Sequence, residues 1–240
     1  MKAVDAHGLH SPFLFELYNQ VIRARNTQEE KRLKALRREL SNLSGELTYL
    51  DPKTHKKRTV DLRRFGRTSA SSHRFSYFLY KLINHLSFQS ILETGTCTGV
   101  NAAYLSQTTA SNIWSIEGSK ELAKIASENL SKNNISNVNI SVGNVWEQFP
   151  TILDLFQPEL VFLDADHRSE TIEFYLNTIK SHAQTIKCIV IHDIHWSPDM
   201  SKVWQSIIQR SEYKLTIDIF QAGIIFPDYP IEKQHFVVKF

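Results

Sequence analysis

The sequence predicts an open α/β fold built on a mostly parallel sheet, and three observations predict it. Between residues 88 and 212, short apolar runs alternate with stretches of helical periodicity, which is the pattern of successive βαβ units with right-handed crossovers. Several of those runs are apolar throughout, as strands covered on both faces require. The runs also end in acids or amides, and ligands in open α/β sheets bind beyond the carboxyl ends of the strands. Glu93, Glu117, Asn144, Asp164 and Asp193 are therefore expected on one rim.

The first sheet strand is Ser90-Ile-Leu-Glu-Thr, which breaks into Gly-Thr-Cys-Thr-Gly before the apolar helical pattern of Ala102, Ala103 and Leu105. Glycine accepts positive φ and lets a ligand lie against bare backbone, while the following helix start presents unpaired N–H groups. A dinucleotide turn has G-x-G-x-x-G, whereas here Glu93 and Gly95 are followed by Gly99, with Cys97 in place of a middle glycine. A dinucleotide oxidoreductase is disfavoured on that ground. The second strand, Asn112-Ile-Trp-Ser-Ile-Glu117, ends in the acid that such sites place some twenty residues past the glycines to hold a ribose diol. Val138-Asn-Ile-Ser-Val forms the third, breaking at Gly143 before Asn144; Leu160-Val-Phe-Leu ends at Asp164, and Cys188-Ile-Val-Ile-His ends at Asp193. Two β-rich segments follow, from Tyr213 to Phe226 and from His235 to Phe240. Their connector, Pro227-Asp-Tyr-Pro230, is too short for a helical crossover, so the last strand is expected to run antiparallel to its neighbour.

Charge divides the chain. Residues 1 to 75 hold 16 Lys and Arg against 8 Asp and Glu, and the remainder holds 12 against 17. The basic part, residues 1–68, reads as a mainly helical cap on a domain at 69–240. Ser11-Pro12 is an N-cap followed by Pro at the first helical position. Thr27 and Glu30 form a capping box before a helix with Leu33, Leu36, Leu40 and Leu43 at helical spacing, ending near Ser44-Gly45. Alternating segments at 46–50 and 58–62 predict a short hairpin, and a helix from about Ser71 to Leu86 leads into the sheet. The basic run from Lys53 to Arg67 lacks a recognisable nucleic-acid module and reads as a solvated face, or as a lid over an anionic small molecule.

The 42% hydrophobic content is that of a globular protein, and no run reaches the roughly 18 apolar residues of a membrane helix. Met1-Lys-Ala-Val-Asp-Ala-His has no signal-peptide core. Cys97 and Cys188 have no metal-like spacing, so a reducing, cytoplasmic setting is expected. Nothing in the sequence fixes an oligomeric state.

The turn from Glu93 to Gly99, with Glu117 after the second strand, resembles the nucleotide turn of class I S-adenosylmethionine (SAM) dependent methyltransferases in its E-x-G-x-x-x-G form. The segment His7-Gly-Leu-His-Ser-Pro-Phe13, the rim from Asp193 to Ser197 with Met200 and Trp204, and the tail from Asp218 to Phe226 with Gln234-His-Phe236 resemble a bacterial group within that class. The resemblance covers nearly the whole chain. It implies a Rossmann-like sheet of seven strands with the last antiparallel, a helical N-terminal cap, and SAM as cofactor held by Glu93, Gly95, Thr96, Gly99, Glu117, Asn144 and Asp164. The acceptor is expected to be a small molecule methylated on oxygen or nitrogen, with RNA or protein docked by the basic cap, or SAM binding without turnover, as alternatives. His195, Asp164 and Asp193 are the expected catalytic residues, His195 as proton acceptor because imidazole titrates near neutrality. Cation-dependent catechol-type relatives bind a divalent ion with an Asp after the fourth strand and Asp-Asn after the fifth. Asp164 and Asp193 match, but Ile194 replaces the Asn and removes an oxygen ligand that magnesium requires, so a metal-free site is expected; His195 or Asp166 would have to compensate. His7 and His10 are read as helix-entry packing around Pro12.

Overall fold

A computed structural model describes residues 11–24, 27–51, 54–181, 185–230 and 232–240. The expectations for His7 and His10, and for the side chain of Thr27, lie outside the described residues. Helix α1 (Pro12–Leu17) starts where Ser11 caps it, its hydroxyl accepting from the Leu14 N–H, and it passes into a π-helical turn at Tyr18–Arg23. Helix α2 (Thr27–Leu40) stops four residues short of Ser44, so Leu43 lies beyond it. Strands β1 (Glu46–Leu50) and β2 (Lys57–Asp61) form the expected antiparallel hairpin. After α3 (Leu62–Thr68), Ser72 caps α4 (His73–Leu86), whose left-handed end at Ser87 turns the chain into the large sheet.

That sheet has strands β3 (Ser90–Thr94), β4 (Asn112–Glu117), β5 (Val138–Val142), β6 (Leu160–Leu163), β7 (Cys188–His192), β8 (Leu215–Asp218), β9 (Ala222–Phe226) and β10 (Gln234–Val237). Helices α5 (Val100–Leu105), α6 (Lys120–Lys132), α7 (Val145–Phe156), α8 (Ser169–Lys180) and α9 (Pro198–Gln209) connect the first six. The order across the sheet is β10-β8-β9-β7-β6-β3-β4-β5.

The sheet departs from the expected one in two respects. The sheet has eight strands among the described residues rather than seven, and its antiparallel member is β9 rather than the last strand. The segment from Tyr213 to Phe226 is itself a hairpin. Ile219 donates to Ala222 O at 3.0 Å, and Phe220 takes φ +69° to close the turn. Strand β9 is thereby inserted between β7 and β8, and the open edge left to β10 is that of β8, along which it runs parallel with Gln234 opposite Leu215.

Side-chain alternation explains the apolar runs. Ile91, Phe162, Val190 and Ile224 point to one core, shared with Leu14, Leu17, Phe75, Phe78 and Leu82. Their neighbours Leu92, Val161, Ile189 and Ile225 point to the other, against Phe149, Tyr175, Ile207 and Trp204. In the basic N-terminal part, Leu33 and Leu40 are buried against Tyr77, Val100, Tyr104 and Leu130, which seats α2 over α4, α5 and α6. Strand order reverses at β3: β4 and β5 lie on one side of it, and β6 and β7 on the other. The loops after β3, β4 and β6 thus meet at a topological switch point, where open α/β sheets bind ligands. Among the described residues, no helix is long and apolar enough to cross a membrane.

Candidate active site

The turn after β3 is wound too tightly for side chains at its glycines. Gly95 has φ +92°, and a Cβ there would lie 2.9 Å from Asp164 O and 3.0 Å from Ala165 Cα, so the β3 and β6 loops touch backbone to backbone. Gly99 caps α5 at φ +84° with its face against Ala126. The turn is anchored on β4 by hydrogen bonds from the Gly95 and Thr96 N–H groups to Ile116 O, and from Thr96 Oγ1 to Ser115 Oγ at 2.6 Å.

Two buried acids flank this turn. Glu93 is fully buried, accepting from Ser115 Oγ at 2.6 Å on one oxygen, while its Oε1 has no hydrogen-bond partner among the described residues. Burial pushes its carboxyl up to about 8; Ser115 opposes this, and the charges of Asp164 and Glu117 add to it. Glu117 accepts from the Cys97 N–H at 2.7 Å and from the Ser119 N–H at 2.9 Å, so its carboxylate ties the glycine turn to the β4 loop. Burial raises its pKa, with those backbone donors opposing. Burial pushes the Cys97 thiol up to about 11, and its Sγ lies 3.3 Å from Ser69 Oγ. Asn144 caps α7, its side chain accepting from the Trp146 N–H at 3.0 Å.

Asp164 forms the centre of a second group. His192 Nδ1 lies 2.8 Å and His167 Nε2 3.4 Å from Asp164 Oδ1, while Asp193 Oδ2 is 3.6 and 3.7 Å from the same two nitrogens. Ser71, at the end of the basic segment, donates to Asp164 Oδ2 at 3.2 Å and accepts from Asn101 Nδ2. Burial acts to raise the Asp164 pKa, but the two imidazoles outweigh it and hold the group at about 2. His192 moves the other way: burial disfavours its cation, and Asp164 more than offsets this to raise its pKa.

The structure thus brings Asp164 and Asp193 together but sends His195 elsewhere. His195 Nε2 lies 2.8 Å from Asp218 Oδ2, beside the exposed rings of Phe220 and Trp196. Asp166 is likewise engaged, accepting from Arg168 and from Thr171 Oγ1 at 2.8 Å. Sequence reasoning gave no role to His167, His192, Ser71 or Asp218. The first two had a signal: His167 stands three residues past the rim acid Asp164 and His192 immediately before the rim acid Asp193, but which nitrogen meets which oxygen depends on sheet register.

Comparison with known proteins places similarity in the same region. Residues 53–152 match the family model of the protein-L-isoaspartate(D-aspartate) O-methyltransferases. The chain is 31% identical over 85 residues to the protein-L-isoaspartate O-methyltransferase of Pyrococcus abyssi, covering 35% of this chain and 39% of that one. It therefore spans about two fifths of the length of the curated relatives it matches. Two solved structures align over far more of it. The SAH-bound methyltransferase PaMTH1 of Podospora anserina has a TM-score of 0.57 at 15% identity, over 86% of this chain and 98% of its own. The O-methyltransferase from Bacillus cereus in complex with SAH gives 0.55 at 15%, over 88% and 96%. These likenesses show the fold, a Rossmann-like α/β sheet shared with methyltransferases.

Proposed function

We propose that this chain is a SAM-dependent methyltransferase that transfers a methyl group to oxygen or nitrogen of a small molecule, with residues 1–68 as a basic cap on a SAM-binding domain at 69–240. The observation that carries the reading is the tight turn of Gly95 and Gly99 at the switch point, walled by Glu93, Glu117 and Asp164. The residues fit the cofactor. Glu93 Oε1 is a buried acceptor with no hydrogen-bond partner among the described residues, suited to a cationic group, and each Glu117 oxygen keeps a lone pair for a ribose hydroxyl beyond its backbone bond. Gly95, Thr96 and Gly99 would offer the backbone surface, with Asn144 beside the base. Bound there, SAM would supply a methyl group on a sulfonium, whose loss leaves a neutral thioether.

The chain's own work is then to align an acceptor and take its proton. Orientation contributes on the order of 7–11 kcal/mol to such displacements. Asp164 and Asp193 are the proposed acceptor-facing groups at the switch point, and His195, held apart from them on Asp218, is the proposed base that an acceptor would have to reach from the β7 loop.

The matched family acts on isoaspartyl residues of proteins, and that is the second reading. Its support covers residues 53–152, which contain the β3 turn and Glu117 but not the rim of β6, β7 and β8. A small-molecule acceptor is favoured because the acceptor-facing groups lie outside the match. Calorimetric titration with SAM, followed by SAH release across phenols, amines, carboxylic acids and an isoaspartyl peptide, tests both. Turnover on the peptide alone supports the second reading, and absence of SAM binding overturns both.

A further inference from the structure

We propose that Asp164, His167 and His192 form a binding site for a first-row transition-metal ion, with Asp193 as a fourth ligand. The proposal rests on the methyltransferase reading only for its purpose, which is to hold an acceptor oxygen beside the cofactor turn. The donor atoms of the first three residues all lie within 4.8 Å of one another. A tetrahedral ion with bonds of about 2.0–2.1 Å sets its ligand atoms about 3.3–3.4 Å apart. The nitrogen-to-oxygen separations here are 2.8, 3.4, 3.6 and 3.7 Å, so they bracket that value.

A second, independent observation concerns the imidazoles. His167 Nε2 and His192 Nδ1 are buried and make no hydrogen bond among the described residues, although carboxylate oxygens stand nearby. In the tautomer with the proton on the other ring nitrogen, each of these atoms carries a lone pair that a metal ion can take. The surroundings fix the donors in place. Phe75 packs on the His192 ring with centroids 4.4 Å apart, and Ser71 holds the outer oxygen of Asp164.

The donor set selects the ion. Two imidazoles and one or two carboxylates suit zinc, cobalt, manganese or iron, and are poor for magnesium, which takes oxygen ligands. The ligands that sequence reasoning offered in place of the missing Asn, His195 and Asp166, are committed to Asp218 and to Arg168 with Thr171. Asp193 is the most exposed of the four, with 31% of its side chain accessible, and is the position that an acceptor oxygen would take over.

The test uses the full chain, tag removed and stripped with chelator. Titration with Co(II) is followed by its d–d absorption, and Zn(II) affinity is measured by competition with a chromophoric chelator. The expected result is one equivalent of either ion bound, with a tetrahedral cobalt spectrum and no binding of Mg(II) at the same concentration. His167→Ala and His192→Ala should each weaken binding about tenfold or more, while His195→Ala leaves it unchanged. Should His192→Ala fail to fold, His167→Ala and the cobalt spectrum still decide. Absence of stoichiometric binding, or binding indifferent to His167, overturns the site. SAM binding measured on the same metal-free protein separates the readings: metal without SAM sinks the methyltransferase reading alone, and SAM without metal sinks this site alone.

Discussion

His195 Nε2 is paired with Asp218 Oδ2 at 2.8 Å, and Asp218 also accepts from Trp204 Nε1 at 3.1 Å and from the Phe220 N–H at 2.7 Å. One buried carboxylate therefore joins the β7 loop, helix α9 and the turn between β8 and β9. Gly223 leaves the room in which the Trp204 ring lies across β9. Replacing Asp218 by Asn keeps the shape but turns one acceptor oxygen into a donor, which faces either the Trp204 Nε1–H at the Oδ2 position or the Phe220 N–H at the Oδ1 position, and neither can reciprocate. Asp218→Asn should cost about 1–3 kcal/mol, the penalty of unsatisfied buried partners. His195→Ala, at a side chain 28% exposed, should cost less than about 1 kcal/mol. Urea denaturation of both variants checks the order, and once an acceptor is known both should lower turnover with SAM affinity nearly unchanged.

The Glu117 carboxylate, proposed to bind the ribose, already accepts from the Cys97 and Ser119 N–H groups in this structure. Glu117→Ala is expected to weaken SAM binding at least tenfold, which corresponds to about 1.4 kcal/mol. Glu117→Gln keeps one acceptor oxygen and should fall between the variant and the parent. Calorimetry reads both, and unchanged affinity in Glu117→Ala would remove this residue from the cofactor site.

The central strands were legible because burial on both faces writes each as an unbroken apolar run: Leu160–Leu163 and Cys188–His192 needed no partner to be recognised. Asp164 and Asp193 were legible for a related reason, since each stands just past the last residue of an apolar strand, whereas Glu93 lies inside β3 and is fully buried. Pairing was not legible. β10 carries the same pattern whether it joins β9 or β8, and its neighbour was decided by the edge that the β8–β9 hairpin left open. His195 and Asp218 stand 23 residues apart, and only the order β7-β9-β8 brings their strand ends within reach. His167 and His192 were visible as residues, but their convergence on Asp164 Oδ1 depends on the register of β6 with β7.

Glycines with similar φ should respond differently to substitution. Gly45 and Gly95 have φ +93° and +92°, yet a Cβ at Gly45 would meet nothing within 4 Å, whereas one at Gly95 would press on the backbone of Asp164 and Ala165. Gly45→Ala should therefore cost about 1–2 kcal/mol, the left-handed penalty alone. Gly95→Ala adds a backbone collision to the same penalty and should cost more, with loss of SAM binding because the β3 and β6 loops must part. Thermal unfolding and titration of the two variants side by side check this; equal losses would mean that the loops yield freely.

Glu93 sets a pH dependence whose sign follows from its burial. In the folded chain its proton is held up to about 8, whereas an unfolded carboxyl releases it near 4.5. Between those values the folded state binds more protons than the unfolded state, so the Glu93 contribution to stability falls as pH rises through that window. His192, with its raised pKa, contributes a loss of the same sign as pH rises through its folded value, so the parent protein alone cannot isolate Glu93. Glu93→Gln keeps the shape and the Ser115 hydrogen bond but carries no titrating proton. Its melting temperature should decline less between pH 5 and pH 8 than that of the parent, with the gap between the two widening toward pH 8. Parallel curves over that range would show that Glu93 is already ionised in the folded protein. The same pair bears on the cofactor. A cation beside Oε1 would favour the ionised carboxylate, so SAM should bind the parent with proton release below pH 8. Calorimetry in buffers of different ionisation enthalpy should find that release in the parent and a smaller one in Glu93→Gln.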